Sequence, residues 1–321
     1  MAIPNYRRSL VALIEEIAEE GAYKLKRFSH DWILRLEKGN VSRHVFGYNF
    51  EVNSAAARLI AADKAATADL LGDAGLPVVE HQIFLQPELA SYVSATGNWD
   101  QMQSYAKTHG YPVVVKPNEG TGGEDIFKIE SPLELEQAVG ALFERQRAIT
   151  FSPYLEIEQE YRVIGLDSEN MLIYGKQRPQ VVGDGRATML ELIERLYVEG
   201  QLTQAQAGRI LESHRGDLKQ VLDQGQELVV GWKHNLGEGA RPLLVEEGEQ
   251  ASQLGELAYA ARTAINIRFA SVDIVQVNGE LSVLEINAGV MMEYFVQHYP
   301  DLRPRVKAIY AQAVEAMFAA G

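Results

Sequence analysis

No cysteine occurs in the 321 residues, so disulfides, thiolate metal sites and thioester chemistry on a protein cysteine are excluded. Positive charge is scarce as well: 30 Lys and Arg against 44 Asp and Glu leave a net charge of -14, the wrong sign for a nucleic-acid partner held through phosphate contacts. A local basic pocket for a small phosphate ligand is still allowed. Long apolar runs are missing at the start of the chain. Residues 1–21 carry Arg7 and Arg8, then Glu15, Glu16, Glu19 and Glu20 where a secretion signal or membrane span would stay apolar. A cytoplasmic protein with no membrane partner is therefore expected. Neither an internal repeat, a low-complexity tract, a Walker sequence nor a complete G-x-G-x-x-G is found, which disfavours P-loop and Rossmann sites.

What is present is ordinary globular composition, 46% apolar and 23% charged, over a length that can divide a large core among two or three lobes. Helical spacing of Leu10, Leu13, Ile14 and Ile17 predicts a helix over 9–20, and two short β runs follow at 32–36 and 41–46. An alanine-rich helix with a break near Asp63 runs from Asn53 to Leu71, and a strand is expected over 78–85. Further strands are expected at 111–117, 126–129, 148–155, 160–166, 170–176 and 227–232, and a hairpin over 270–286 turning at Asn278-Gly279. Capping boxes at Ser131, Thr188 and Thr203 predict helices to about 147, 198 and 224, and two more helices are expected at 250–265 and 303–319. Strands and helices mix without regular βαβ alternation, which predicts an α+β protein.

Two places carry chemistry. In the hairpin, Asp273 lies on the first strand and Glu285 and Asn287 on the second, where period-2 alternation puts the latter two on one face. Three hard oxygen donors suit Mg²⁺, which keeps its other positions for water and nucleotide phosphates. Upstream, Lys116 ends a run of valines just before Gly120, Gly122 and Gly123. A lysine there is costly unless its ammonium meets an anion, and glycines let backbone N–H groups close over phosphate oxygens. Each has a bland alternative: a half-solvated hairpin face, or a glycine-rich turn with a surface lysine.

The order Asp63-Lys64, the Lys116 strand and glycine loop, Tyr154-Leu155, Glu160-Tyr161-Arg162, Asp273 and Glu285-x-Asn287 resembles the ATP-grasp superfamily across nearly the whole chain. The stretch from Arg178 through Gly183-Asp184-Gly185 to Ile193 is similar to the ATP-grasp module of cyanophycin synthetase and of the bifunctional glutathione synthetases, and Gly75-Leu76-Pro77-Val78 fits the same group. That resemblance implies an ATP-grasp fold: two α+β lobes gripping ATP (86–155 and 156–321), preceded by a short N-terminal lobe (1–85) in a chain with room for the grasp module alone.

It implies that Lys64 and Lys116 contact the ATP phosphates under a loop of Glu119, Gly120, Thr121, Gly122 and Gly123. Tyr154 and Leu155 would offer backbone groups to adenine, Glu160 would meet the ribose, and Asp273, Glu285 and Asn287 would hold Mg²⁺, two ions being expected. For the acceptor side the candidates are Arg268 first, by its closeness to Asp273, then Arg178 and Arg241, with Lys176 behind them. Bland alternatives run beside these: Lys64 a solvated helix residue, Glu160 a surface charge, Asp273 a partner for Arg268, the arginines surface ion pairs, and His234 an exposed loop histidine. The expected activity is ATP-dependent ligation of a small-molecule carboxylate to an amine, most naturally on amino acids or short peptides. A grasp-fold small-molecule kinase and a non-catalytic nucleotide-binding subunit are the alternatives, and a homodimer is the commonest symmetric assembly to expect.

Overall fold

The computed structural model describes residues 8–91, 99–120, 122–213 and 216–319. Helix α1 (Ser9–Glu20) buries Leu10, Leu13, Ile14 and Ile17 along one stripe. A four-stranded antiparallel sheet follows in chain order: β1 (Lys24–Phe28), β2 (Ile33–Lys38), β3 (Val41–Phe46) and β4 (Asn49–Phe50). The sequence reading did not contain β1. Its Lys-Leu-Lys-Arg-Phe is mostly charged, in keeping with an edge strand, and shows no apolar alternation. The alanine-rich run is broken at Asp63 into α2 (Ala55–Ala62) and α3 (Lys64–Asp73), as expected. Asp63 is extended, and its carboxylate accepts from the Ala66 N–H at 2.8 Å, capping α3.

The middle of the chain forms β5 (Gln82–Leu85), α4 (Trp99–His109), β6 (Val113–Pro117), β7 (Phe127–Ile129), α5 (Pro132–Phe143) and β8 (Ala148–Pro153). The strands make an antiparallel sheet in the order β5-β8-β6-β7. Phe84, Val113, Val115 and Phe151 bury one face of it against Met102 and Tyr105 of α4 and Leu135 and Leu142 of α5. Alternation sends Val114, Lys116 and Thr150 to the opposite face. Helix α4 has no counterpart among the sequence expectations, because its apolar positions are few among Gln, Ser, Lys and Thr.

Next come β9 (Gln159–Leu166), β10 (Glu169–Gln177), β11 (Gln180–Val182), α6 (Met189–Val198), α7 (Gln204–Ser213), β12 (Glu227–Val229), β13 (Arg241–Leu244), α8 (Glu249–Ala264), β14 (Phe269–Val277), β15 (Glu280–Asn287), α9 (Glu293–His298) and α10 (Arg303–Ala319). Five of these strands form an antiparallel sheet in the order β13-β10-β9-β14-β15, while β11 and β12 pair beside α6 and α7. The capping box at Thr188 and Glu191 is complete. The helix expected over 203–224 is a correction: α7 ends at Ser213, the chain turns where Gln220 N–H meets Asp217 C=O, and Val221 bridges to Thr188. The β14–β15 hairpin turns at Asn278 and Gly279, both with positive φ (52° and 80°), as a type I′ turn requires.

The large sheet shares one core with α1, the N-terminal sheet and α10: Leu10, Phe50, Ile164, Tyr174, Phe269, Ile309 and Tyr310 pack together, with Phe50 stacked on Tyr310 at 5.5 Å. Two isolated bridges, Asp63 with Glu119 just past β6 and Val78 with Val283 of β15, tie the segment 63–78 to the β5-β8-β6-β7 sheet and to the large sheet. The polar face of the β5-β8-β6-β7 sheet is thereby held beside the β14–β15 hairpin.

Candidate nucleotide and metal site

Across the large sheet, Tyr174, Arg162, Asp273 and Glu285 stand directly opposite one another on β10, β9, β14 and β15, so their side chains form one row on one face. One row along, Lys176 pairs with Glu160, and on the other side Ser271 pairs with Asn287. The row is charged; Tyr174 and Asp273 in it are buried, Arg162 and Glu285 half-buried. Asp273 accepts from Arg162 through both oxygens, at 2.7 and 2.6 Å, and its Oδ2 lies 2.9 Å from Lys176 Nζ. Burial works against the Asp273 charge, yet the Arg162 and Lys176 cations hold its carboxyl well below the usual range. Lys176 also binds Glu160, whose carboxyl burial pushes up against the pull of Lys176. His234 stands 4.0 Å from Glu160 and is buried, not exposed. Burial, Arg178 and Lys176 lower it to about 3, so it is neutral near pH 7.

Facing this row is the lysine pair. Lys64 opens α3 and is buried rather than solvated; its Nζ donates to the carbonyls of Asn118 (3.4 Å) and Gly120 (3.1 Å). Asn118 sets that geometry: its side-chain oxygen accepts from Ala65 N–H and its carbonyl from Lys64 N–H, which pins the start of α3 to the end of β6. Lys116 is 5% exposed at the end of β6. Burial lowers its ammonium to about 8; Glu285 opposes this, Lys64 adds to it and Glu160 opposes it. These couplings bring Lys64, Lys116, Glu160 and Glu285 into one electrostatic neighbourhood.

The glycine loop reaches across to the segment before β13. Asn235 Nδ2 donates to Gly122 C=O at 2.6 Å, and Lys233 Nζ to Gly123 C=O and Glu238 Oε1, both at 3.1 Å. Gly122 and Gly123 have φ of 81° and 77°, and a Cβ on Gly123 would come within 2.2 Å of Asn235. Glu119 is exposed and Gly120 offers its carbonyl to Lys64, whereas Thr121 lies outside the described residues. Tyr154 and Leu155 are half-buried just past β8, Tyr154 under Lys128 Nζ at 4.0 Å and 6.1 Å from the Trp232 ring.

Among the described residues no group of three or more His, Cys, Asp and Glu is arranged to hold a metal ion, so the donor set for one is two carboxylates and an amide. Asn287 Nδ2 donates to Glu285 Oε1 at 3.1 Å, which leaves the amide oxygen as its donor atom. Asp273 has most of its acceptor positions taken by Arg162 and Lys176 and keeps about one. Hard oxygens from Glu285, Asn287 and that remaining position fit Mg²⁺ when phosphate oxygens complete the shell.

The arginines separate. Arg268 is not brought to this group: it forms a bidentate pair with Asp167 at 2.7 and 2.9 Å at the far end of β9 and β14, and Asp273 is the partner of Arg162 instead. Arg178 and Arg241 line one cavity of about 70 Å³ with Gln177, Gln201 and Gly239, and Arg241 donates to Gln201. Arg162, quoted in the motif order but given no role there, and Asn118 are the site residues to which the sequence assigns no part. The signal for Arg162 was the alternation that puts it on the face of Glu160; Asn118 acts through its own backbone and an Asx contact, which no spacing reveals.

No family model matches the chain. Cyanophycin synthetase from Trichormus variabilis is 31% identical over 140 residues, 43% of this chain and 14% of that protein. Glutathione biosynthesis bifunctional protein GshAB from Lactiplantibacillus plantarum is 26% identical over 225 residues, 66% of this chain and 28% of that protein. The chain thus spans less than a third of the length of these curated relatives. Among solved structures, a bifunctional glutathione synthetase from Pasteurella multocida superposes with a TM-score of 0.54 at 19% identity, over 94% of this chain and 44% of that one. These structural likenesses show that the chain has the ATP-grasp fold.

Proposed function

We propose that the protein is an ATP-dependent carboxylate–amine ligase that forms an amide or peptide bond through an acyl phosphate, with an amino acid or short peptide as the acid. The observation that carries this reading is the buried Lys64–Lys116 pair set against the Asp273–Glu285–Asn287 hairpin under a clasped glycine loop. Two buried ammonium groups without carboxylate neighbours in ion-pair contact are costly unless an anion is their ligand.

In this reading Lys64 and Lys116 bind the nucleotide phosphates, backbone N–H groups of Gly120, Gly122 and Gly123 cover them, and backbone groups at Tyr154 and Leu155 meet adenine, with Glu160 towards the ribose. Mg²⁺, with two ions expected, would bring phosphate oxygens together with Glu285, Asn287 and Asp273 and neutralise their charge during transfer. Arg178 and Arg241 gather the carboxylate of the acid. A carboxylate oxygen attacks the terminal phosphorus, the bond to the bridging oxygen breaks and ADP leaves. The amine then attacks the acyl carbon, a C–N bond forms, and phosphate leaves with the C–O bond electrons and takes up the proton the amine loses. The glycine loop held by Asn235 and Lys233 excludes the water that would otherwise hydrolyse the acyl phosphate.

The test is ADP release from Mg-ATP across a matrix of amino acids and small peptides offered as acid and as amine, with Asn287→Ala as control. Turnover that needs both partners and collapses in the control supports the ligase. Turnover with a hydroxyl acceptor and no amine would replace it with a kinase, and nucleotide binding without turnover on any pair with a non-catalytic subunit.

A further inference from the structure

His81 is buried, 4% exposed, immediately before β5. Its Nδ1 lies 2.8 Å from the Val79 carbonyl, which can only accept, so Nδ1 carries the hydrogen and Nε2 is a bare acceptor in the neutral ring. Burial, then the charges of Lys116 and Lys64, keep the ring far below its ordinary titration range, so it stays neutral. Nε2 is buried and has no hydrogen-bond partner among the described residues. Buried acceptors of that kind are rare, because one left without a donor keeps its full desolvation penalty.

The sheet register places it on the face that carries Lys116, one row along and across the intervening strand β8. Ile83, Thr150 and Lys116 stand in one row across β5, β8 and β6, and His81, two residues before Ile83, projects to the same face. The segment is held from both sides, by Val79 N–H on Val283 C=O and by Thr150 Oγ1 on Gln82 C=O. Lys116 is the complementary case, a buried ammonium with no hydrogen-bond partner among the described residues. A donor without an acceptor and an acceptor without a donor share one face of one sheet. The Lys64 ammonium, by contrast, is already anchored on two carbonyls.

We propose that His81 is a positioning residue of the nucleotide site, whose neutral Nε2 accepts a hydrogen bond from the Lys116 ammonium and aims that charge at the phosphate. This inference rests on the nucleotide reading above. With His81 as its neutral support, Lys116 holds its remaining donors for phosphate oxygens. An imidazolium could not serve, because it has no acceptor, and a carboxylate in its place would compete with the phosphate for the lysine.

The probe is Mg-ATP, with binding followed by calorimetry on the full chain and folding by thermal melting. His81→Leu is expected to weaken Mg-ATP about tenfold with melting little changed, as loss of one hydrogen bond to a charged group implies. His81→Gln, whose side-chain oxygen can stand where Nε2 does, is expected to recover most of that loss. In a Lys116→Met background His81→Leu is expected to have no further effect, because its target is gone. Equal affinity of His81→Leu and the parent protein overturns the proposal, as does an undiminished loss in the Lys116→Met background. If His81→Leu does not fold, failure of His81→Gln to bind as the parent does while melting normally overturns it. Absence of Mg-ATP binding by the parent protein would instead overturn the nucleotide reading itself.

Discussion

At the scale of single residues, Lys116 gives the site a pH dependence of known sign. Its ammonium is lowered to about 8 by burial. Below that pH it is charged in the folded and the unfolded chain alike, and the cost of burying it is present in full. Between about 8 and the unfolded value of about 10.4, the folded protein sheds the proton first, so that cost is relieved as pH rises. Phosphate favours the charged form. Nucleotide affinity should therefore fall as pH rises through about 8, with protons taken up on binding, an uptake that calorimetry in buffers of different ionisation enthalpy detects. Lys116→Met should abolish the uptake. Asp273 answers differently: Asp273→Ala leaves Arg162 and Lys176 buried without their carboxylate and should cost about 3–5 kcal/mol of stability, measurable by urea unfolding. Lys116 and the hairpin donors are legible in the sequence because each breaks an apolar strand pattern. The identity of the Asp273 partner is not. Arg162 and Arg268 are both arginines near a strand end, and only the register β9-β14 puts the first opposite Asp273 and leaves the second with Asp167.

At the scale of elements, two glycine substitutions separate closure from folding. A Cβ on Gly183 would meet the Asp223 carbonyl at 2.2 Å and Leu222 Cβ at 2.6 Å, and neither can move without displacing backbone. Gly183→Ala should therefore unfold the β11–β12 pair with α6 and α7, seen as early protease cleavage in that segment. A Cβ on Gly123 meets the far end of the Asn235 side chain, which can swing away at the loss of its bond to Gly122. Gly123→Ala should leave the melting temperature nearly unchanged and weaken Mg-ATP several-fold, since the backbone there is also left-handed at φ 77°. The break at Asp63, the N-cap at Ser131, the capping box at Thr188 and the Asn278-Gly279 turn are visible in the sequence, because each is written in local side-chain chemistry. Edge strand β1 and helix α4 are not, since β1 is mostly charged and α4 sets only a few apolar positions among Gln, Ser, Lys and Thr, and α7 ends at Ser213, eleven residues before the expected 224, although Gln and Asp carry the polar pattern on.

At the scale of the whole molecule, the site exists because the fold brings together surfaces of different sheets. One contributes Lys116 on its open face, the other the charged row of β9, β10, β14 and β15, and the segment 63–78 bridges them. Sign segregation is what would let a chain of net charge -14 take the proposed nucleotide: the cations Lys64, Lys116, Arg162 and Lys176 are gathered inside, and most carboxylates lie outside. Among the described residues no helix is long and apolar enough to cross a membrane. The general architecture was readable from the order of motifs along the chain, whereas the fate of the acceptor-side arginines depended on which sheet edge each one reaches. The central claim is that the chain activates a carboxylate as an acyl phosphate. Hydroxylamine, a small amine that captures acyl phosphates, tests it most directly: with Mg-ATP and a panel of amino acids, the account expects hydroxamate and ADP to appear in equal amounts with at least one acid, and neither in Lys116→Met. ADP released without hydroxamate from any acid, with the phosphate found on a hydroxyl, would contradict it.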